Sequence, residues 1–287
     1  MVKKAPIFLT ALLLLSACTK LDISGLIVPA SEEANLRVRQ SLGMALKSCP
    51  SNINAPADNY RLYVCSDVHT EQYPQRFSEF LHRQRNDSTA LFALQLGDLS
   101  NQQGALFTAA KMMLYDSIRD RYDTPVYSIA GNHDLFFDQW EDYKQCFGPS
   151  TYAFTVTTPH YRDLYIMLDS GGGCHGKTQM DWLRNVLSNR NRYRHCIVSS
   201  HVNIFRTDMS QFMSGNLPLE ETYELMDLLA SNHVNLYLQG HDHHRCETYY
   251  GGVHYITLDC LKDQADYVSY LIIDAGDGLA WNFHDNI

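Results

Sequence analysis

Five clusters of aspartate, histidine and asparagine stand out in this chain, each following at once on an apolar run. Residues 62–65 lead to Asp67 and His69, and residues 91–96 lead to Gly97 and Asp98. Residues 126–130 lead to Gly131, Asn132, His133 and Asp134. Residues 196–198 lead to His201, and residues 234–238 lead to Gly240, His241, Asp242 and His243. Carboxylates and imidazoles are the side chains that bind metal ions and move protons near neutral pH. The glycines permit tight turns directly before the polar groups. Short apolar runs that end in such turns read as strands. Five strand ends carrying oxygen and nitrogen ligands predict a metal site.

The elements that must position these groups follow from periodicity. Strands are expected at about 61–66, 91–96, 125–130, 152–157, 164–169, 195–200, 234–239, 253–258, 267–273 and 279–284. Helices are expected at 74–85, 105–120, 139–146, 178–189 and 219–231. The first half is therefore βαβαβα, an α/β pattern with parallel strands joined by right-handed crossovers. The second half is richer in strands, which implies antiparallel additions and a second sheet packed on the first. In such folds ligands bind beyond the carboxyl ends of the strands, where all five clusters fall. The i, i+2 pairs Asp67/His69 and His241/His243 would share one side of an extended backbone.

In the order DxH, GD, GNHD, H, GHxH, these clusters resemble the calcineurin-like metallophosphoesterase family, from about Tyr60 to Ile287. The resemblance implies a two-sheet sandwich flanked by helices, in four layers αββα, and two divalent metal ions. It implies Asp67, His69, Asp98 and His243 on the first ion, and Asp98, Asn132, His201 and His241 on the second, with Asp98 bridging. Four histidines, two aspartates and one asparagine with no thiolate suit Mn, Fe, Zn or Co better than Ca or Mg. The implied reaction is hydrolysis of a small phosphoester, mono- or diester, by direct attack of metal-bound hydroxide. His133 would stabilise the transition state or protonate the leaving oxygen, and Asp134 would orient its imidazole. Purple acid phosphatases have a tyrosine ligand after the GD block, whereas Asn101 follows Leu99 and Ser100 here, which disfavours a coloured ferric site.

Two other readings compete. Gly171 to Thr178, GGGCHGKT, satisfies the nucleotide-binding pattern GxxxxGK[ST], with Lys177 placed to meet phosphates. It lies in mid-domain and lacks a spare strand-end carboxylate as its metal partner, so an NTPase is the weaker alternative. The other is a surface lipoprotein that keeps the fold and binds without turnover; an intact ligand set speaks against it. Aromatic Phe136, Phe137 and Trp140 could line a substrate slot, although at least two of them are expected to pack in the core. The long segment 202–218, with Phe205, Arg206, Phe212 and Met213, could shape the substrate site, and Arg206 could pair with a phosphate oxygen although a surface arginine is the default. His244 lies near the site in sequence, and His82, His160, His175, His195, His233 and His284 read as ordinary.

The N-terminus sets the compartment. Lys3 and Lys4 precede an apolar stretch from Ile7 to Leu15, and Leu15-Ser16-Ala17-Cys18 resembles a bacterial lipoprotein cleavage box. Residues 1–17 are expected to be a signal peptide, residues 18–58 a lipidated Cys18, tether and accessory helix, and residues 59–287 the catalytic domain. The helix is expected to start near Ser31 with Val38, Leu42, Ala45 and Leu46 on one face. This places the chain on the cell envelope, lipid-anchored to the outer membrane, periplasmic or surface-exposed. Net charge is -9, with 23 basic and 32 acidic residues, which argues against a surface for long nucleic acid. Seven cysteines remain after Cys18, an odd number, so at least one is unpaired.

Overall fold

Leu62, Tyr63, Val64 and Cys65 are successive and all buried, and they alternate between two different cores. A strand that is apolar on both faces must be covered on both. The same holds for the stretch 164–167, where Tyr165 and Met167 face one core while Leu164 and Ile166 face another. That doubled burial dictates a layered molecule with two sheets back to back and helices outside. The computed structural model describes residues 30–70, 73–100, 124–136, 138–206 and 216–287. The expected signal with Cys18, the helix expected at 105–120, and Phe137, Phe212 and Met213 lie outside the described residues.

In chain order the elements are α1 (Ala30–Leu42), β1 (Asn52–Asn54), β2 (Tyr60–Cys65), α2 (Gln75–Asn86), β3 (Ala90–Gln95) and β4 (Val126–Ser128). There follow α3 (Asn132–Leu135), α4 (Trp140–Phe147), β5 (Tyr152–Thr157), β6 (Arg162–Met167), α5 (Gly176–Leu187) and β7 (Cys196–Ser199). The chain finishes with α6 (Leu219–Ser231), β8 (Leu236–Gln239), β9 (Cys246–Tyr250), β10 (Val253–Thr257), β11 (Tyr270–Ala275) and β12 (Leu279–His284). One sheet has the order β12-β11-β2-β3-β4, the other β1-β5-β6-β7-β8-β10-β9. Both are mixed: β2, β3 and β4 are parallel, as are β6, β7, β8 and β10, with antiparallel partners added outside them. The four-layer α/β sandwich expected from the sequence is the fold observed.

Between the sheets lies an aromatic cluster. Phe92 meets Tyr127, Phe154 and Tyr165 edge-on at centroid distances of 5.6, 5.3 and 5.0 Å. Outside the smaller sheet, α2 buries Phe77, Phe80, Leu81 and Gln84, the i, i+3, i+4, i+7 stripe of an amphipathic helix. On the larger sheet, α5 contributes Met180, Leu183 and Leu187, and α6 contributes Leu225, Met226 and Leu229. Among the described residues no helix is long and apolar enough to cross a membrane.

Two features depart from expectation. Strands β1 and β9 were not anticipated; the first is only three residues and the second, CETYY, shows no clean alternation. Helix α1 buries Ala34, Asn35, Arg37, Val38 and Ser41, whereas Leu42 and Ala45 are exposed. Its inner face is partly polar because it packs on charged and amide partners rather than on a purely apolar surface. Trp140 is buried beside Tyr143 in the core of the smaller sheet, in line with the expectation that aromatics after the GNHD block pack inside. The seven described cysteines are all free thiols, with Cys65 and Cys196 in the core as expected. Phe92 stands at the centre of the intersheet cluster, so Phe92→Ala is expected to destabilise the fold by about 3–5 kcal/mol in urea denaturation; a change below about 1 kcal/mol would show that the cluster is not the main intersheet contact.

Candidate metal centre

All five polar clusters leave strand ends and meet at one edge of the sandwich. From the smaller sheet come Asp67 and His69 after β2, Asp98 after β3, and Asn132 and His133 after β4. From the larger sheet come His201 after β7, and His241 and His243 after β8. The centre therefore straddles the seam between the sheets. Asp67, His69, Asp98, His241 and His243 have φ of 52, 44, 54, 71 and 59°, the left-handed region that side chains disfavour by roughly 1–2 kcal/mol each. The i, i+2 pairs thus converge through left-handed backbone and not through the extended backbone expected. Such strain in consecutive loops is characteristic of functional sites.

Close approach explains the glycines. A Cβ on Gly131 would fall 2.2 Å from Asp98 Oδ1, and one on Gly240 would fall 1.9 Å from Ser66 Oγ and 2.6 Å from Asp67 Oδ2. No side chain fits where these loops touch.

The contacts resolve into two adjoining groups. In the first, His69 Nε2 and His243 Nε2 are 3.0 Å apart, and they lie 3.7 and 3.3 Å from Asp67 Oδ1. In the second, Asn132 Oδ1 lies 3.1 Å from His201 Nε2 and 3.0 Å from His241 Nδ1. Asp98 Oδ2 joins them, 3.7 Å from His69 Nε2 and 3.4 Å from His201 Nε2. Its other oxygen accepts a hydrogen bond from the His133 N–H at 2.8 Å. Asp67, Asp98, His69 and His201 form a buried floor, while Asn132, His133, His241 and His243 are partly exposed and form the open side.

Charge is finely balanced at this floor. Burial would raise both carboxyls, but the His243 and His69 rings hold Asp67 well below the usual carboxylate range, and His201 holds Asp98 below it. Burial would lower the His201 imidazole, yet Asp98 pushes it up to about 10. Burial lowers both His133 and His241. The donor set fits divalent cations. Asp67 Oδ1 is buried and has no hydrogen-bond partner among the described residues, although two ring nitrogens face it. One proton can satisfy only one of those pairs, whereas a cation would satisfy all three atoms.

Asp134 does not orient His133. One of its oxygens accepts from the N–H groups of Leu99 and Ser100 at 2.9 and 3.0 Å, and the other from the Gly131 N–H at 2.9 Å. His133 Nδ1 is buried without a hydrogen-bond partner among the described residues. Asp134 is instead a staple between the turn after β3 and the turn after β4. Burial and the Asp98 charge push its carboxyl up to about 7, against the pull of those amides.

Three supporting side chains escaped sequence reasoning. The Gln95 amide clamps the next turn, accepting from the Gly97 N–H at 2.9 Å and donating to its carbonyl at 2.7 Å. Gln239 accepts from the Ile204 N–H at 2.8 Å. Ser170 Oγ accepts from the N–H groups of His201 and Val202 at 3.2 and 2.8 Å. A glutamine at the last position of an otherwise apolar strand was the available signal for the first two. Arg206 donates to Asp242 Oδ1 at 2.8 Å at the rim, and Phe136 sits edge-on to His133 at 5.1 Å. His244 is exposed.

The GGGCHGKT stretch is not a phosphate cradle. Its amides are already satisfied by protein: Gly171 by Asp169, His175 and Gly176 by the Glu221 carboxylate, and Thr178 by Asn35. Lys177 points to solvent and pairs with Asp181. A bound phosphate would have to displace two carboxylates.

Residues 60–245 match the calcineurin-like phosphoesterase family, and the chain belongs to it. Its class of chemistry is metal-dependent hydrolysis of phosphoesters. No curated protein matches the chain. Among solved structures it resembles a dimetal phosphatase from Danio rerio, with TM-score 0.60 and 14% identity over 79% of this chain and 96% of that one. It also resembles a Plasmodium protein described as the anchor in the inner membrane complex, with TM-score 0.56 and 15% identity over 79% and 84% of the two chains. A Staphylococcus aureus protein assigned as a 5′-nucleotidase gives TM-score 0.54 and 14% identity over 79% of this chain and 53% of that one, so this chain spans about half of its length. At these identities the likeness is one of fold.

Removing the Asp134 carboxylate would leave three buried N–H groups unsatisfied. Asp134→Ala is expected to destabilise the protein by about 3 kcal/mol or more in urea denaturation. Unchanged stability with lowered activity alone would instead restore the imidazole-orienting role.

Proposed function

We propose that this chain hydrolyses a small phosphoester, mono- or diester, at two divalent ions held between its strand ends. The observation that carries the reading is Asp98 Oδ2, a single oxygen within 3.4–3.7 Å of an imidazole from each group. Asp67, His69, Asp98 and His243 would hold one ion, and Asp98, Asn132, His201 and His241 the other. Imidazole-rich sites of this kind favour Mn, Fe or Zn over Ca or Mg. When bound, such a pair acidifies water and neutralises charge on the phosphoryl oxygens.

The chain's own side chains do the remaining work. The ligand set and His133 include no hydroxyl or thiol, so we assign transfer of the phosphoryl group directly to water and not to a side chain. His133 stands at the opening, 26% exposed, with Nε2 3.9 Å from Asp98 Oδ2 and its ring edge-on to His69. Burial lowers its pKa, which favours the neutral ring. A proton carried on Nε2 would face the site and stabilise, by a hydrogen bond, the negative charge that builds on the phosphoryl or leaving oxygen, without a full transfer that would leave an imidazolate. The buried carboxylates hold charge, and the half-exposed rings leave a face for the ester to enter.

We further assign residues 1–17 as a lipoprotein signal, Cys18 as the lipidated residue, and the outer membrane of a bacterial envelope as the location, with residues 59–287 as the catalytic domain. A catalytically silent binding lipoprotein is the rival, and intact ligands together with His133 disfavour it. The deciding experiment is hydrolysis of bis(p-nitrophenyl) phosphate and p-nitrophenyl phosphate by the Mn²⁺-loaded chain. Turnover is expected in the parent and lost in Asp98→Ala, whereas His133→Ala should keep its metal and lose about 10²-fold or more in kcat. A parent without turnover on either ester favours the binding protein, and full activity in His133→Ala removes its assigned role.

A further inference from the structure

We propose that α1 buttresses the Asn132/His201 side of the centre and that Arg37 is a positioning residue for the reaction. The inference rests on the hydrolytic reading above, but the helix lies before residue 60, outside the matched family segment.

Arg37 is buried and meets the fully buried Asp169 in a two-pronged ion pair, Nε to Oδ2 at 2.9 Å and Nη2 to Oδ1 at 3.2 Å. Paired guanidinium and carboxylate planes fix orientation as well as position. Asp169 opens the segment 169–171, in which Ser170 and Gly171 meet the backbone that carries two of the assigned ligands. Asp169 Oδ1 also accepts from the Gly171 N–H at 3.1 Å. The Ser170 hydroxyl holds the backbone of His201 and Val202. Gly171 packs beneath the turn that carries Asn132 and His133, so closely that a Cβ on it would fall 2.7 Å from the Gly131 carbonyl oxygen and 2.8 Å from Leu135 Cδ1. One ion pair thus sets two of the four ligands assigned to the second ion.

A second route runs from the same helix. Ser41 Oγ accepts from the Ser150 N–H at 3.1 Å, and Ser150 Oγ accepts from the Ala130 N–H at 3.0 Å, one residue before Gly131. Asn35 accepts from the Thr178 N–H at 2.8 Å, which seats α1 on the start of α5. By contrast, none of these contacts reaches Asp67, His69 or His243. The support is one-sided.

The test is Arg37→Ala in the full-length chain, read by kcat and KM on bis(p-nitrophenyl) phosphate, by Mn²⁺ bound per chain, and by hydrogen exchange. We expect kcat to fall about tenfold or more with KM within about twofold, as for a misplaced catalytic group. Bound Mn²⁺ should fall from two per chain towards one, and exchange should quicken at 130–135 and 169–173 while β2 and β11 keep their protection. Arg37→Lys keeps the charge without the two-pronged geometry and should recover only part of the loss. Should Arg37→Ala fail to fold, Gly172→Ala is the second variant, since its Cβ would fall 2.7 Å from Arg37 Nη2 and displace it. Wild-type kcat, metal content and local exchange would overturn the proposal, as would a parallel loss of protection in every strand. If the parent chain has no turnover, the hydrolytic reading fails, while exchange and metal content still decide the buttress.

Discussion

Asp67 and Asp98 are two buried carboxylates that both lie 3.7 Å from the same imidazole nitrogen of His69. Two negative charges this close, shielded from water, are stable only with positive charge between them. Around them stand the imidazoles of His201 and His243, whose pKa values these carboxylates raise above the ordinary histidine value. The same arrangement is one that divalent ions would neutralise. Most of the unusual local structure serves this one constraint. Left-handed backbone aims the side chains inwards, glycines allow loops from different strands to touch, and the Gln95 clamp and Asp134 staple keep the turns from relaxing apart.

The seam between the sheets gives the constraint its leverage. The smaller sheet delivers Asp67, His69, Asp98 and Asn132, and the larger delivers His201, His241 and His243. On the proposed assignment neither sheet alone carries a complete ligand set, so ion binding would also tie the two layers together. Metal affinity and folding stability are then linked quantities, since ions that bind only the assembled seam stabilise it by mass action. The aromatic cluster around Phe92 and the outer helices hold the layers in register before any ion binds.

The clusters at strand ends were legible in the sequence because two strong signals coincide there, an apolar run that stops and a polar group with metal-binding chemistry. Nine of the ten expected strands start and end within two residues of those observed; the exception is the one before the last, expected at 267–273 and observed at Tyr270–Ala275. The role of Asp134 was not legible. Adjacent letters suggested that it serves the neighbouring histidine, but a one-turn helix at Asn132–Leu135 turns it towards backbone amides thirty-five residues earlier in the chain. The polar inner face of α1 was hidden for a related reason, since Arg37 and Asn35 find their partners only through tertiary contacts more than a hundred residues away. GGGCHGKT, set aside in the sequence as the weaker reading, shows the opposite case. A pattern defined by its letters says nothing of whether its amides are already occupied, and here Glu221, Asp169 and Asn35 occupy them.

The central claim is that one carboxylate, Asp98, holds two ions at once. Titration of Mn²⁺ into the metal-free chain, followed by electron paramagnetic resonance, tests it most directly. The account predicts two ions per chain and the exchange-coupled signal of a bridged pair, with the coupling abolished in Asp98→Ala. A spectrum of isolated Mn²⁺ ions at full occupancy, or binding that stops at one ion per chain, would contradict it.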